Sequence, residues 1–73
     1  MSEEIFNQKE SEVVLLLRWP DVFKIVKISK AEARRMEKRG AFPLRRRLTD
    51  GRAVCWRSDE IRAFVMSRNP VDP

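Results

Sequence analysis

Between Lys27 and Arg57 the chain carries eleven Lys/Arg against three Asp/Glu, a local charge of +8 in a protein whose total is +5. Guanidinium groups are planar forks of donors that match phosphate oxygens and the edge of guanine, so a cluster of them is chemistry for recognition. Residues suited to catalysis are scarce. There is no histidine, and Cys55 is the one cysteine. Zinc hydrolysis, imidazole acid–base chemistry and Ser-His-Asp triads therefore lack their usual participants, and an internal disulfide has no second thiol. Cys55 sits between Val54 and Trp56, flanks that suit a strand and a structural role. No enzyme, metal or cofactor is expected.

Charge is distributed unevenly along the chain. Residues 1–12 hold four acids and one lysine, a charge of −3, which leaves +8 for the remainder. Such a bias points to a polyanionic partner, nucleic acid before an anionic membrane surface. The longest apolar run, Val13 to Leu17, falls far short of the roughly 20 residues that span a bilayer. The acidic N-terminus lacks the basic segment of a secretory signal. A cytoplasmic protein with no membrane contact is expected. At 73 residues it forms one domain, and a chain of that size buries only about 60% of its unfolded surface, so the core must be thin.

The elements that position the basic residues follow from local signals. Residues 1–12 lack a sustained period and read as an acidic, disordered arm, residues 13–69 as the folded domain and 70–73 as a tail. Val14 to Arg18 begins with a β-branched residue and reads as a short strand. Pro20 presets the backbone for a helix start and Asp21 complements the helix dipole, so a two-turn helix should run to about Val26 with Val22, Phe23, Ile25 and Val26 apolar. After a break at Lys27-Ile28, Ser29 and Glu32 form a capping-box pattern. From Lys30 to Arg39 there is no Gly, Pro or β-branched residue, and Gly40 supplies the stop. Two helices joined by so short a connection can make a helix-turn-helix.

At about 100° per residue, Ser29, Ala33, Met36 and Gly40 fall on one stripe of the second helix. Lys30, Arg34, Arg35, Lys38 and Arg39 cover the opposite half, and Glu32 and Glu37 mark the two borders. A helix made merely soluble would intersperse the signs. Small Ala31, within the basic half, would let the backbone approach a groove.

Phe42 is a candidate core plug beneath this helix. Leu44–Leu48 and Ala53–Arg57 then flank Thr49-Asp50-Gly51-Arg52, and Asp-Gly between two strand-like runs signals a hairpin. Arg45, Arg46 and Arg47 project on both faces, so the hairpin should stand out as a wing. Ser58 as N-cap, with Asp59 and Glu60 in the first turn, opens a last helix whose apolar face is Ile61, Phe64 and Val65, ending near Arg68. The fold class is small α+β, mainly α: a winged helix-turn-helix with a short N-terminal strand, two helices, a β-hairpin wing and a C-terminal helix.

The order of motifs resembles a known family. Leu16-Leu17-Arg18, Pro20-Asp21-Val22, Ile28-Ser29-Lys30, Lys38-Arg39-Gly40-Ala41-Phe42-Pro43, Gly51-Arg52-Ala53-Val54 with Trp56-Arg57, and Ser58 with Glu60-Ile61 together resemble the short phage and prophage regulators of the AlpA type. That family is related to excisionases and to the MerR-like winged helix. The resemblance implies double-stranded DNA binding, regulation of phage or mobile-element genes, and a role in excision beside a phage-type integrase. Two departures matter. The family's turn glycine is Lys27 here, and its Ile and Tyr in the recognition helix are Ala33 and Arg34, so the family's target sequences do not carry over.

The residues expected to meet DNA are Ser29, Lys30, Ala31, Arg34, Arg35, Lys38 and Arg39 on the recognition helix, Arg45, Arg46, Arg47 and Arg52 on the wing, and Lys27 in the turn. Arg34 is the candidate for direct readout of guanine. Lys27, Lys38 and Arg39 suit backbone contact. One unit is small for a long site, which points to self-association on adjacent DNA sites. The competing class is a basic protein-interaction adaptor or antitoxin-like module without specific DNA recognition. A single-strand binder is disfavoured because aromatics do not interleave with the basic residues.

Overall fold

Apolar side chains from all three helices, the first strand and the segment carrying Phe42 meet around one short central strand. A computed structural model describes residues 13–71; the acidic arm of residues 1–12, and the disorder expected of it, lie outside the described residues. The elements are β1 (Leu16–Leu17), α1 (Trp19–Val26), α2 (Lys30–Lys38), β2 (Arg46–Arg47), β3 (Val54–Arg57) and α3 (Ser58–Met66). The strands form an antiparallel sheet in the order β1-β3-β2, with Leu17 opposite Trp56 and Arg46 opposite Cys55. The fold is the winged helix-turn-helix that the residue pattern implies.

The core consists of Leu17, Val22, Ala33, Phe42, Trp56, Ile61 and Phe64, with Val22 and Ile61 fully buried. Phe42 is the plug expected of it, meeting Phe64 edge-on with ring centroids 4.9 Å apart. Two expected core residues face solvent instead. Phe23 is exposed on α1, where it lies 6.3 Å from Trp19, and Val65 is exposed on α3. Each helix is only two to three turns long, so one buried stripe satisfies the thin core and the next stripe stays outside.

The first strand is shorter than the Val14–Arg18 expected, because its partner runs out. β3 ends at Arg57 and α3 begins at once, so Leu15 pairs with the start of that helix rather than with a strand. Its backbone N–H donates to Ser58 Oγ at 2.7 Å, and its carbonyl accepts from the Ser58 N–H at 2.8 Å. Ser58 is therefore not the N-cap. Arg57 occupies that position without a capping side chain, and the buried Ser58 hydroxyl ties the two ends of the domain together.

The turns explain how the two helices are aimed. Ser29 caps α2 as expected, its hydroxyl accepting the Glu32 N–H at 3.1 Å. Glu32 does not complete the reciprocal half of the box, since its carboxylate is taken by Arg35. At the far end, Gly40 has φ +77°, and the Gly40 and Ala41 N–H groups donate to the Glu37 and Met36 carbonyls at 3.0 and 2.7 Å. This is the left-handed stop that glycine adopts without strain. The hairpin loop does not turn on Asp50-Gly51 as a two-residue turn. Leu48 N–H still reaches the Ala53 carbonyl at 2.9 Å, which leaves a four-residue loop. Gly51 has no left-handed φ in it, and the Thr49 hydroxyl accepts the Gly51 N–H at 3.1 Å.

Between α1 and α2, Lys27 adopts φ 59°, ψ 26°, the left-handed region, and donates its N–H to the Phe23 carbonyl at 2.9 Å. A non-glycine residue is strained there by about 1 kcal/mol. Lys27→Gly should accordingly raise stability by about 0.5–1 kcal/mol, the relief of strain outweighing the greater freedom of glycine in the unfolded chain. A urea unfolding midpoint below that of the parent protein would contradict this reading of the turn.

Candidate nucleic-acid interface

Burial along α2 follows the wheel residue by residue. Ala33 is buried and Met36 half-buried against the core; Glu32 and Glu37 are half-buried on the borders. Lys30, Ala31, Arg34, Arg35 and Lys38 are exposed, and Arg39 continues the surface in the exposed turn that follows. Ser29 is also exposed, but its hydroxyl is committed to the helix cap.

The two border acids do different work. Glu32 forms an ion pair with Arg35 at 2.6 Å, within reach of solvent. Such a pair contributes about 0–1 kcal/mol, so Arg35 can readily exchange it for another anion. Glu37 is only 13% exposed. Its Oε2 accepts the backbone N–H of Arg45 at 2.8 Å and the Arg45 Nε–H at 3.3 Å. This carboxylate latches the start of the wing to the flank of α2.

Strand register sorts the wing arginines. Residues paired across a sheet project to the same face. Arg47, opposite Val54, therefore shares a face with Val54 and Trp56, as does Arg45 by alternation; this is the face turned to α2. Arg46, opposite Cys55, projects to the other face, where both carboxylate oxygens of Glu60 on α3 accept from its guanidinium. That hydrogen bond holds the Arg46 pKa above its ordinary value. Arg57 lies on this second face as well and donates to both oxygens of Asp59 at 2.8 and 3.0 Å. The same bond depresses the Asp59 carboxyl below the usual range.

At the wing tip, Arg47 Nη1 donates to the Gly51 carbonyl at 2.9 Å, and Arg52 is exposed. The structure thus brings Arg45, Arg47, Lys30 and Arg34 to one side of the molecule and places Arg46 on another. Lys27 stands exposed in the turn at the head of α2.

Between the N-terminus of α1, the flank of α2 and the sheet lies a cleft of about 300 Å³. Trp19, Phe42, Val54 and Trp56 contribute its apolar surface, and Arg18, Lys30, Arg34 and Arg45 are the cations among its lining residues, against the single acid Glu37. The two tryptophans stand 5.6 Å apart, centroid to centroid. Trp56 is buried, and its Nε1–H has no hydrogen-bond partner among the described residues. Arg18 was missed as a site residue because it stands alone at the end of an apolar run. The signal was there: the residue preceding a proline-initiated helix sits beside that helix's N-terminus, where the next helix can approach it.

Two short helices joined through a left-handed turn, with a hairpin latched beside the second, define a winged helix-turn-helix protein. Residues 15–69 match the family described as "Prophage CP4-57 regulatory protein (AlpA)". The match covers most of the 73 residues, and the chain belongs to this family of phage-type regulators. No curated protein and no solved structure gives a significant match. No helix among the described residues is long and apolar enough to cross a membrane.

If Glu37 is the latch, Glu37→Ala should speed amide hydrogen exchange at Arg45–Arg47 while leaving α3 protected, at a stability cost of about 1–2 kcal/mol. Unchanged exchange in the wing would show that the latch is idle. Asp59 gives a sign-definite pH effect. Its folded pKa is depressed, so its contribution is present above the ordinary carboxylate range and is lost as pH falls below about 4. Asp59→Asn should make the acid-side fall of the melting temperature shallower; an equally steep fall would assign acid sensitivity to other carboxylates.

Proposed function

We propose that this family member binds duplex DNA sequence-specifically, as a transcriptional regulator, an excision factor of a phage or mobile element, or both. α2 enters the major groove by its N-terminal half, presenting Ser29, Lys30, Ala31, Arg34 and Arg35 to base edges and phosphates. Arg34 reads guanine through O6 and N7. Arg45, Arg47 and Arg52 on the wing, with Lys27, Lys38 and Arg39, engage phosphate or the adjacent minor groove. Arg46 joins them only by releasing Glu60.

The observation that carries this reading is the segregation of charge on α2. Its exposed half holds only cations and alanine, while both acids stand on the borders, each already occupied by an arginine. Arg34, at the centre of that half, makes no ion pair among the described residues. A full guanidinium fork is left for a ligand.

One such module buries roughly 600–1,000 Å² of protein surface on DNA, too little for a long site. Several copies on adjacent sites would supply the remaining specificity, and an integrase bound beside them is the natural partner for an excision role.

Fluorescence anisotropy on a duplex drawn from the gene's own upstream region tests the proposal. With about six phosphates neutralised, affinity should fall roughly a thousandfold between 50 and 200 mM salt. Arg34→Ala should cost about 1–3 kcal/mol on the preferred sequence and relax discrimination at one base pair, with the circular dichroism spectrum unchanged. Lys38→Ala should weaken all sequences alike and lower the salt slope by about 1. Affinity insensitive to salt and to Arg34→Ala would refute duplex recognition by α2.

A further inference from the structure

The cleft beside α2 has a composition that phosphate binding does not require. Cations at its edge serve a polyanion, but two tryptophans, Phe42 and Val54 in one cleft suit an apolar or aromatic side chain. Its occupant should therefore combine an apolar anchor with adjacent negative charge. The same chain holds such a segment: Glu3-Glu4-Ile5-Phe6, two acids followed directly by two apolar residues, in an arm whose charge is −3. We propose that this segment docks in the cleft of its own domain. Phe6 seats against Trp19 and Trp56, Glu3 and Glu4 meet Arg18, Lys30, Arg34 or Arg45, and the arm thereby competes with DNA for the interface. The competition rests on the DNA-binding reading above; the docking does not.

Two observations support this occupant, and a third supports the competition. Charge complementarity is the first: four cations line the cleft against one acid, and that acid, Glu37, is already taken by Arg45. Chain reach is the second. Arg18 lines the cleft, and Val13 lies at most ~18 Å from it along an extended chain; the seven residues back to Phe6 span up to ~25 Å, enough to return. The third is position. Lys30 and Arg34 belong both to the cleft lining and to the exposed half of α2 that is proposed to enter the groove, so cleft and groove cannot both hold them.

The acids alone would act as a diffuse screen, and Phe6 distinguishes docking from that. The test compares the full chain with Phe6→Ala, which leaves charge unchanged, and with the double variant Glu3→Gln, Glu4→Gln. The protein has two tryptophans, hence two indole N–H resonances in a ¹⁵N–¹H spectrum. At low salt both resonances should shift on Phe6→Ala, and the shift should not depend on protein concentration. In duplex titrations, Phe6→Ala and the double variant should each bind at least threefold tighter than the parent chain. Coincident indole resonances in the parent and Phe6→Ala overturn the proposal, as does a shift that vanishes on dilution, which would place the arm on a second copy. Equal duplex affinities for parent and variants overturn the competition. Shifted resonances together with no duplex binding by any variant would uphold docking and reject the DNA-binding reading.

Discussion

The structure depends on the burial of Trp56 in the middle strand of a three-stranded sheet. β3 is four residues long, yet it pairs with β1 on one side and with the wing on the other and runs without a linker into α3. Trp56 places its ring against Trp19 at the start of α1 and belongs to the same buried cluster as Ala33 of α2. One side chain therefore touches the assembly that sets the positions of both helices and the wing.

Around that anchor, charge is divided by face. On the α3 side, Arg46 and Arg57 are neutralised by Glu60 and Asp59, acids that also complement the N-terminal end of α3. On the α2 side, Glu32 and Glu37 lie at the edges of the basic surface, and Arg34 and Lys30 make no ion pair among the described residues. The excess of +8 between Lys27 and Arg57 is thus not one surface. Part of it is internal fastening, and part is exposed on α2.

Much of this was legible in the chain because it is local. The Ser29 cap, the Gly40 stop and the acid borders of α2 are set by residues within a turn or two of one another. What escaped is non-local. Nothing near Ser58 announces that its hydroxyl would meet Leu15, forty-three residues away, so it read as an N-cap. Nothing in Arg45-Arg46-Arg47 says which arginine would find an acid on α3, since alternation assigns faces but not the element covering each face. The aromatic cleft depends on Trp19, Phe42 and Trp56 converging from three segments, and single-residue burial habits treat each merely as core. Lys27 is the instructive middle case: the family resemblance puts a turn glycine at its position, and only the structure gives the turn its left-handed φ of 59°.

A chemical-shift map of the ¹⁵N-labelled protein titrated with duplex DNA tests the central claim most directly, because it reads which face meets the ligand independently of affinity. The account predicts that the largest shifts fall on Lys30, Ala31, Arg34, Arg35 and Lys38 of α2 and on Arg47 and Arg52 of the wing, while Asp59–Met66 of α3 stay in place. Shifts concentrated on α3 and around Arg46 and Arg57, with α2 unmoved, would contradict it.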